Sequence, residues 1–102
     1  VLCMTEFGRT VAVNGTGGTD HGTGAAAFLL GGAVRGGRVL ADWPGLAPQN
    51  LFEGRDLKPT LDSRRIVKAV LRDHLGLDGP VLDRAVFPDS AAAPPLDGLF
   101  RA

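Results

Sequence analysis

The chain has 102 residues, with 11 Lys and Arg balanced by 11 Asp and Glu, so it has the size of one small domain and carries no net charge at pH 7. Charge balance excludes the positive field a phosphate-backbone binder needs, and the sequence contains no run of about 18 to 20 apolar residues that would span a bilayer. Nucleic acid is therefore not an expected partner. Fifteen glycines and seven prolines require a large share of loop.

Val1 to Thr5 is short, apolar and without helical period, which predicts a strand buried on both faces and central in a sheet. Cys3 lies in this run, cannot form an internal disulfide, and is expected to be a small buried thiol. An apolar strand beginning at residue 1, without an initiating Met, is expected of a C-terminal piece of a longer protein, whose remainder would be this chain's first partner. From Glu6 to Gly24 the glycine density predicts a long, closely packed loop of functional character. Ala25 to Leu30 predicts a second strand, Gly36-Gly37 a turn, Asp42-Trp43-Pro44-Gly45 a turn with an aromatic lid, and Leu51 to Leu57 a short hairpin.

Asp62 is a good N-cap for a helix whose apolar stripe is Ile66, Val67, Val70, Leu71 and Leu75, and Gly76 supplies its stop. His74 sits in the last turn, where a cation complements the helix dipole. Pro80 opens a second short helix through about Ala85. Residues 89–102, with the run Asp89-Ser90-Ala91-Ala92-Ala93-Pro94-Pro95, have little to bury and are expected to form a mobile tail beyond a folded part spanning 1–88.

The residues with chemical potential cluster at the ends of the first two predicted strands. Arg9 can clamp an anion by a bidentate contact or pair with Glu6, and Glu6 can serve as base, metal ligand or partner in that ion pair. Asp20 and His21 combine a hard oxygen with an imidazole nitrogen, the donor types used for zinc, manganese or iron, although an Asp-His pair in a glycine loop is also ordinary turn chemistry. Gly22-Thr23-Gly24-Ala25-Ala26-Ala27 fits a loose dinucleotide-binding pattern in letters alone, because a polar loop precedes it and a predicted strand follows.

In order along the chain, Met4-Thr5-Glu6-Phe7-Gly8-Arg9-Thr10, Gly18-Thr19-Asp20-His21-Gly22, Gly31-Gly32-Ala33-Val34-Arg35-Gly36-Gly37, Asp42-Trp43-Pro44-Gly45-Leu46, Gly54-Arg55-Asp56-Leu57 and Val86-Phe87-Pro88 resemble the C-terminal part of the bacterial domain-of-unknown-function 1501 family. The resemblance implies an α/β fold, a C-terminal fragment of an alkaline-phosphatase-like sandwich with a mixed sheet flanked by helices. It implies an exported, periplasmic parent acting as a metal-dependent hydrolase of small anionic phosphate or sulfate esters, its nucleophile outside this chain; a non-catalytic cell-envelope binding or assembly protein is the alternative. It further implies Asp20, His21 and Glu6 as ligands of a divalent metal, with Glu6 as ligand or catalytic base; Arg9 is a catalytic candidate on its own chemistry, without an assured counterpart in that superfamily. At positions 6 and 7, where that superfamily carries a metal-binding Asp-His pair, this chain has Glu6 and Phe7, and Phe7 cannot bind a metal.

Overall fold

Where the sequence places glycine-punctuated apolar runs, the structure, a computed structural model describing residues 1–101, forms short antiparallel pairs. The chain divides into two units, Val1–Leu30 with Val39–Thr60, and Gly31–Arg38 with the chain from Leu61 onward. Together they mix helices with small sheets, in keeping with an α/β class, and every strand pair among the described residues is antiparallel.

In the first unit β1 (Leu2–Cys3) pairs with β4 (Phe28–Leu29), with Leu2 opposite Leu29 and Cys3 opposite Phe28. Both predicted strands therefore exist, but the first is not buried on both faces. Val1 is 83% exposed, and Cys3 and Met4 are also exposed, because no described element covers that side. The predicted loop contains a second pair, β2 (Gly8–Arg9) against β3 (His21–Gly22), with Gly8 opposite Gly22 and Arg9 opposite His21. The other edge of β2 carries residues 55–57, through Val11 N–H to the Arg55 carbonyl at 3.0 Å and Leu57 N–H to the Arg9 carbonyl at 3.1 Å.

Gly8 and Gly22 are glycines because the backbones touch there. A Cβ on Gly8 would stand 2.3 Å from the Thr23 carbonyl carbon, and one on Gly22 2.6 Å from the Arg9 carbonyl. The hairpin predicted over Leu51 to Leu57 closes by a bridge from Phe52 to Asp56. Its central residues Glu53 and Gly54 have φ of 53° and 69°, the sign at both positions that the twist of a tight hairpin demands.

The first unit is held by backbone and polar groups. Among its described residues no large apolar side chain is buried, and Phe7, Phe28, Leu40 and Trp43 are exposed, so Trp43 covers nothing described as a lid would. Its best-buried charge is Asp56, which accepts from Arg55 Nε at 2.7 Å and from the Thr23 hydroxyl at 2.8 Å. The Arg55 guanidinium, and then the Thr23 hydroxyl, hold the Asp56 carboxyl below the usual carboxylate range. Arg64 does the same to Asp62, and Arg72 to Asp73, in the second unit.

A depressed folded pKa means the unfolded chain binds more protons, so this stability is complete above the unfolded value of about 3.9 and is lost as pH falls through the folded values. The midpoint of thermal unfolding is expected to stay level from neutrality to about pH 5 and to fall below about pH 4. Asp56→Asn should lower it at pH 7 and flatten the acid limb; a midpoint unchanged between pH 6 and pH 3 contradicts this account.

In the second unit the Asp62 carboxylate caps α1 (Ser63–Ala69) by accepting from Arg64 N–H at 3.0 Å, as expected. The helix continues as a wider π turn over Val70–His74 and stops at Gly76, whose φ of 76° suits only glycine well. Asp78 caps α2 (Gly79–Val81), with Pro80 in its first turn, and a second π turn over Leu82–Val86 follows. His74 stacks on Phe100, ring centroids 5.6 Å apart.

The expectation that the C-terminal segment buries little is corrected. Ser90, Ala93 and Leu99 are buried, as are Ala69 and Leu82. Lys68 is fully buried and donates to Asp83 Oδ1 at 2.6 Å and to the carbonyls of Ser90 and Ala93 at 2.7 and 2.9 Å. Small side chains let this segment approach the helix closely enough for its carbonyls to reach that ammonium.

Candidate functional site

The four candidate side chains, Glu6, Arg9, Asp20 and His21, lie on or beside the β2–β3 pair and are exposed. Pairing of Gly8 with Gly22 brings Arg9 directly across from His21, so residues twelve apart in sequence become nearest neighbours on one small sheet. Arg9 donates from Nε to the Thr19 hydroxyl at 2.9 Å and from Nη2 to the Thr19 carbonyl. Two donors on one residue fix the plane of the guanidinium. Among the described residues Arg9 has no carboxylate partner, so the pairing with Glu6 is not formed; Glu6 lies before the strand and makes no side-chain hydrogen bond among those residues.

Asn14 organises the loop that carries Thr19 and Asp20. Its Oδ1 accepts from Thr16 N–H at 3.0 Å, the Thr16 hydroxyl at 2.9 Å and Gly18 N–H at 3.1 Å, while its Nδ2 donates to Asp20 Oδ1 at 3.1 Å. Thr10, buried, locks the base of the loop: its N–H donates to the Asp20 carbonyl at 3.0 Å, and its Oγ1 accepts from Asp20 N–H at 3.0 Å. Asn14, Thr10 and Thr19 hold the loop and the Arg9 side chain in ways that the residue pattern does not announce, except that Asn14-Gly15 marks a turn.

His21 lies flat against Phe7, with centroids 4.4 Å apart and planes inclined by 15°. Phe7 thus fixes the imidazole plane by stacking rather than adding a ligand. Asp20 and His21 are successive in extended chain, which turns side chains to opposite faces, and their partners differ accordingly: the Asn14 amide for one and the Phe7 ring for the other. Among the described residues no three His, Cys, Asp or Glu side chains stand together to hold a metal ion. Asp20 and His21, expected as metal ligands with Glu6, are turned to different partners within the described residues.

What the arrangement offers instead is a cation of fixed orientation beside an aromatic-backed imidazole, on a face open to a ligand. Opposite-charge groups nearby are Asp20, turned to Asn14, and Glu6. An anion with two or three oxygens is the chemistry such a face receives. In the second unit a shallow cleft lined by Gly79, Pro80, Asp83, Arg84, Pro88 and Asp89 contains none of these residues.

The family model described as "Protein of unknown function (DUF1501)" matches residues 1–86. No curated protein and no solved structure matches the chain. No helix among the described residues is long and apolar enough to cross a membrane.

Proposed function

Since the chain belongs to the DUF1501 family over residues 1–86, we propose that it forms the anion-facing part of an exported hydrolase of small phosphate or sulfate esters, built on an alkaline-phosphatase-like sandwich completed by the rest of the parent chain. The observation that carries this reading is Arg9, fixed by Thr19, without a carboxylate partner among the described residues and directly across the sheet from His21. Arg9 binds the anionic oxygens of the ester and orients them. His21, its plane set by Phe7, stands beside the same oxygens as a hydrogen-bond donor. Glu6, exposed at the entrance to β2, is the group available to accept or deliver a proton. The nucleophile belongs to the remainder of the parent, and no step is assigned to a metal on these residues.

The uncovered apolar side chains of the first unit support the same picture of a piece that packs against more protein, since Phe28, Leu30 and Leu40 contribute nothing where they stand. A second reading, a non-catalytic cell-envelope binding or assembly protein, is favoured by Phe7, an aromatic ring stacked on His21 at a position where a hydrolase of this kind would carry a histidine.

Hydrolysis of chromogenic phosphate and sulfate esters by the intact parent, together with its metal content, separates the two. Arg9→Ala should lower kcat/KM by about 10- to 100-fold, the range expected for one charged hydrogen-bonded contact, and Arg9→Lys should recover only part of it. His21→Ala should lower it as well. Absence of hydrolysis by the unaltered, folded parent under all metal supplements overturns the hydrolase reading and leaves the binding protein.

A further inference from the structure

Arg55, Arg64, Lys68 and Arg72 each rest on an aspartate. Arg35, Arg38 and Arg101 do not. All three belong to the second unit, all are exposed, and among the described residues none has a carboxylate partner. Asp97, the acid next to Gly98, is drawn to Arg72 Nη2 at 2.8 Å. A chain that is neutral as a whole therefore carries an uncompensated cationic face at this place.

One small backbone construction gathers the three arginines. Val34 and Phe100 face each other in an antiparallel bridge, closed by Arg35 N–H to the Leu99 carbonyl at 2.9 Å and Arg101 N–H to the Ala33 carbonyl at 2.8 Å. Arg35 and Arg101 flank that bridge diagonally, a separation of about 7 to 8 Å that long side chains span. The Gly36-Gly37 turn, with Gly37 at a φ of 73°, brings Arg38 back onto the same pair of segments. Arg38 Nε donates to the Arg35 carbonyl at 2.9 Å and Nη2 to the Gly98 carbonyl at 2.7 Å. Arg101 Nε donates to the Val34 carbonyl at 3.2 Å. Arg35 Nη1 stands 3.6 Å from where a Gly98 side chain would begin, so Arg35 and Arg38 both reach Gly98.

Carbonyl oxygens fix a guanidinium without neutralising it. Arg38 spends its Nε–Nη2 edge on the main chain and keeps the Nη1–Nη2 edge for a two-pronged contact. Arg35 makes no side-chain hydrogen bond among the described residues and keeps every donor. Planar forks of this kind match phosphoryl oxygens, and forks already held in place lose less entropy on binding.

We propose that Arg35, Arg38 and Arg101 form a second anion site, in the second unit where Arg9 is in the first, and that it takes two or three phosphate groups held close together. Three cations suit the charge of such a cluster. A nucleic-acid backbone needs a longer run of them, which the balanced composition does not supply. Soluble oligophosphates and clustered phospholipid headgroups offer the same oxygens.

Calorimetric titration of the intact protein with inorganic triphosphate tests the site, in an Arg9→Ala background so that the ester site proposed above is silent and the two readings fail separately. Triphosphate should bind saturably in a one-to-one complex. Arg35→Gln should weaken it by about 10- to 100-fold, the loss of one charge-assisted contact, and Arg35→Lys should recover only part. Because the Arg35 side chain bonds to nothing described, Arg35→Gln should leave the ligand-free thermal midpoint unchanged, and Arg101→Gln should weaken binding as well. Absence of saturable binding, or binding indifferent to Arg35 and Arg101, overturns the proposal. So does equal displacement by sulfate, which would reduce the site to attraction by charge alone. Cosedimentation with phosphatidylcholine vesicles containing phosphatidylglycerol decides the source. Vesicle binding that Arg35→Gln abolishes and triphosphate competes away assigns the site to headgroups; triphosphate binding without vesicle binding assigns it to a soluble oligophosphate.

Discussion

Lys68→Met is expected to destabilise the second unit by about 3 to 5 kcal/mol, the loss seen when one partner of a buried charge pair is removed, and to lower its thermal midpoint by about 10 °C or more. The reason is the completeness of the site. Each of the three ammonium protons has an acceptor, namely Asp83 Oδ1 and the carbonyls of Ser90 and Ala93, and the side chain is fully buried. Methionine keeps the length and the apolar stem but leaves a carboxylate and two carbonyls without their donor. Asp83→Asn should cost much less, because Asp83 is one-third exposed and water can replace part of the bond, and because the two carbonyls keep their ammonium. Differential scanning calorimetry of the two variants checks this order; a Lys68→Met midpoint within a degree or two of the parent contradicts it.

Gly22→Ala is expected to cost about 1 to 3 kcal/mol by overpacking and to remove the proposed anion site at the same time. The added methyl would lie 2.6 Å from the carbonyl carbon and oxygen of Arg9 and 2.9 Å from Thr10 N. Those atoms are backbone and cannot swing aside, so the two strands must part. Parting them moves Arg9 away from His21 and loosens the Thr10 bonds to Asp20. Gly15→Ala, where the same methyl would meet nothing, is the control and should leave stability within about 0.5 kcal/mol. Urea titration of both variants measures the first effect, and ester or anion binding by the intact parent measures the second. Equal stability of the two variants would show that the glycine pair is not the pinch point.

The parts of the fold legible in the sequence are those set by neighbours along the chain. Asp62, Gly76 and Pro80 act within a few residues, and the structure uses each as the spacing implies, while the Asp78 cap of the second short helix appears only in the structure. The Phe52 to Asp56 hairpin is local in the same sense. The β2–β3 pair was not legible, because strands of two residues show no alternation and the need for Gly8 and Gly22 arises only when distant backbones meet. The open face of β1 departs from the expected central strand since the apolar run Val1 to Met4 has no described cover, and apolarity alone does not say what will cover it.

The same division holds for the site. Glu6, Arg9, Asp20 and His21 were found as chemical types, but their grouping depends on register. Arg9 lies in extended chain, which carries it to Thr19 and His21 instead of back to Glu6, and extension also separates Asp20 from His21. The C-terminal segment was misjudged for a related reason. Small side chains such as Ser90 and Ala93 are buried there, and the carbonyls of Ser90, Ala93 and Pro94 take the charged donors of the helix, a use of the main chain that residue types do not announce.

Asn14-Gly15 is the dipeptide most prone to lose its side-chain amide as ammonia by attack of the following backbone nitrogen, and the Asn14 amide here is engaged at both ends, accepting from Thr16 and Gly18 and donating to Asp20. The folded loop therefore protects the residue from chemical ageing, and the protection ends whenever the loop opens. Where the cyclic imide opens to aspartate, an oxygen replaces the amide nitrogen that stood 3.1 Å from Asp20 Oδ1, setting two carboxylates against each other; where it opens to isoaspartate, the main chain of the loop is lengthened by one carbon and the same hydrogen bond is lost. The loop would then resist closing, and Thr19 would no longer hold Arg9. Accumulated deamidation at this position is thus a record of how long the loop from Asn14 to Asp20 has spent open.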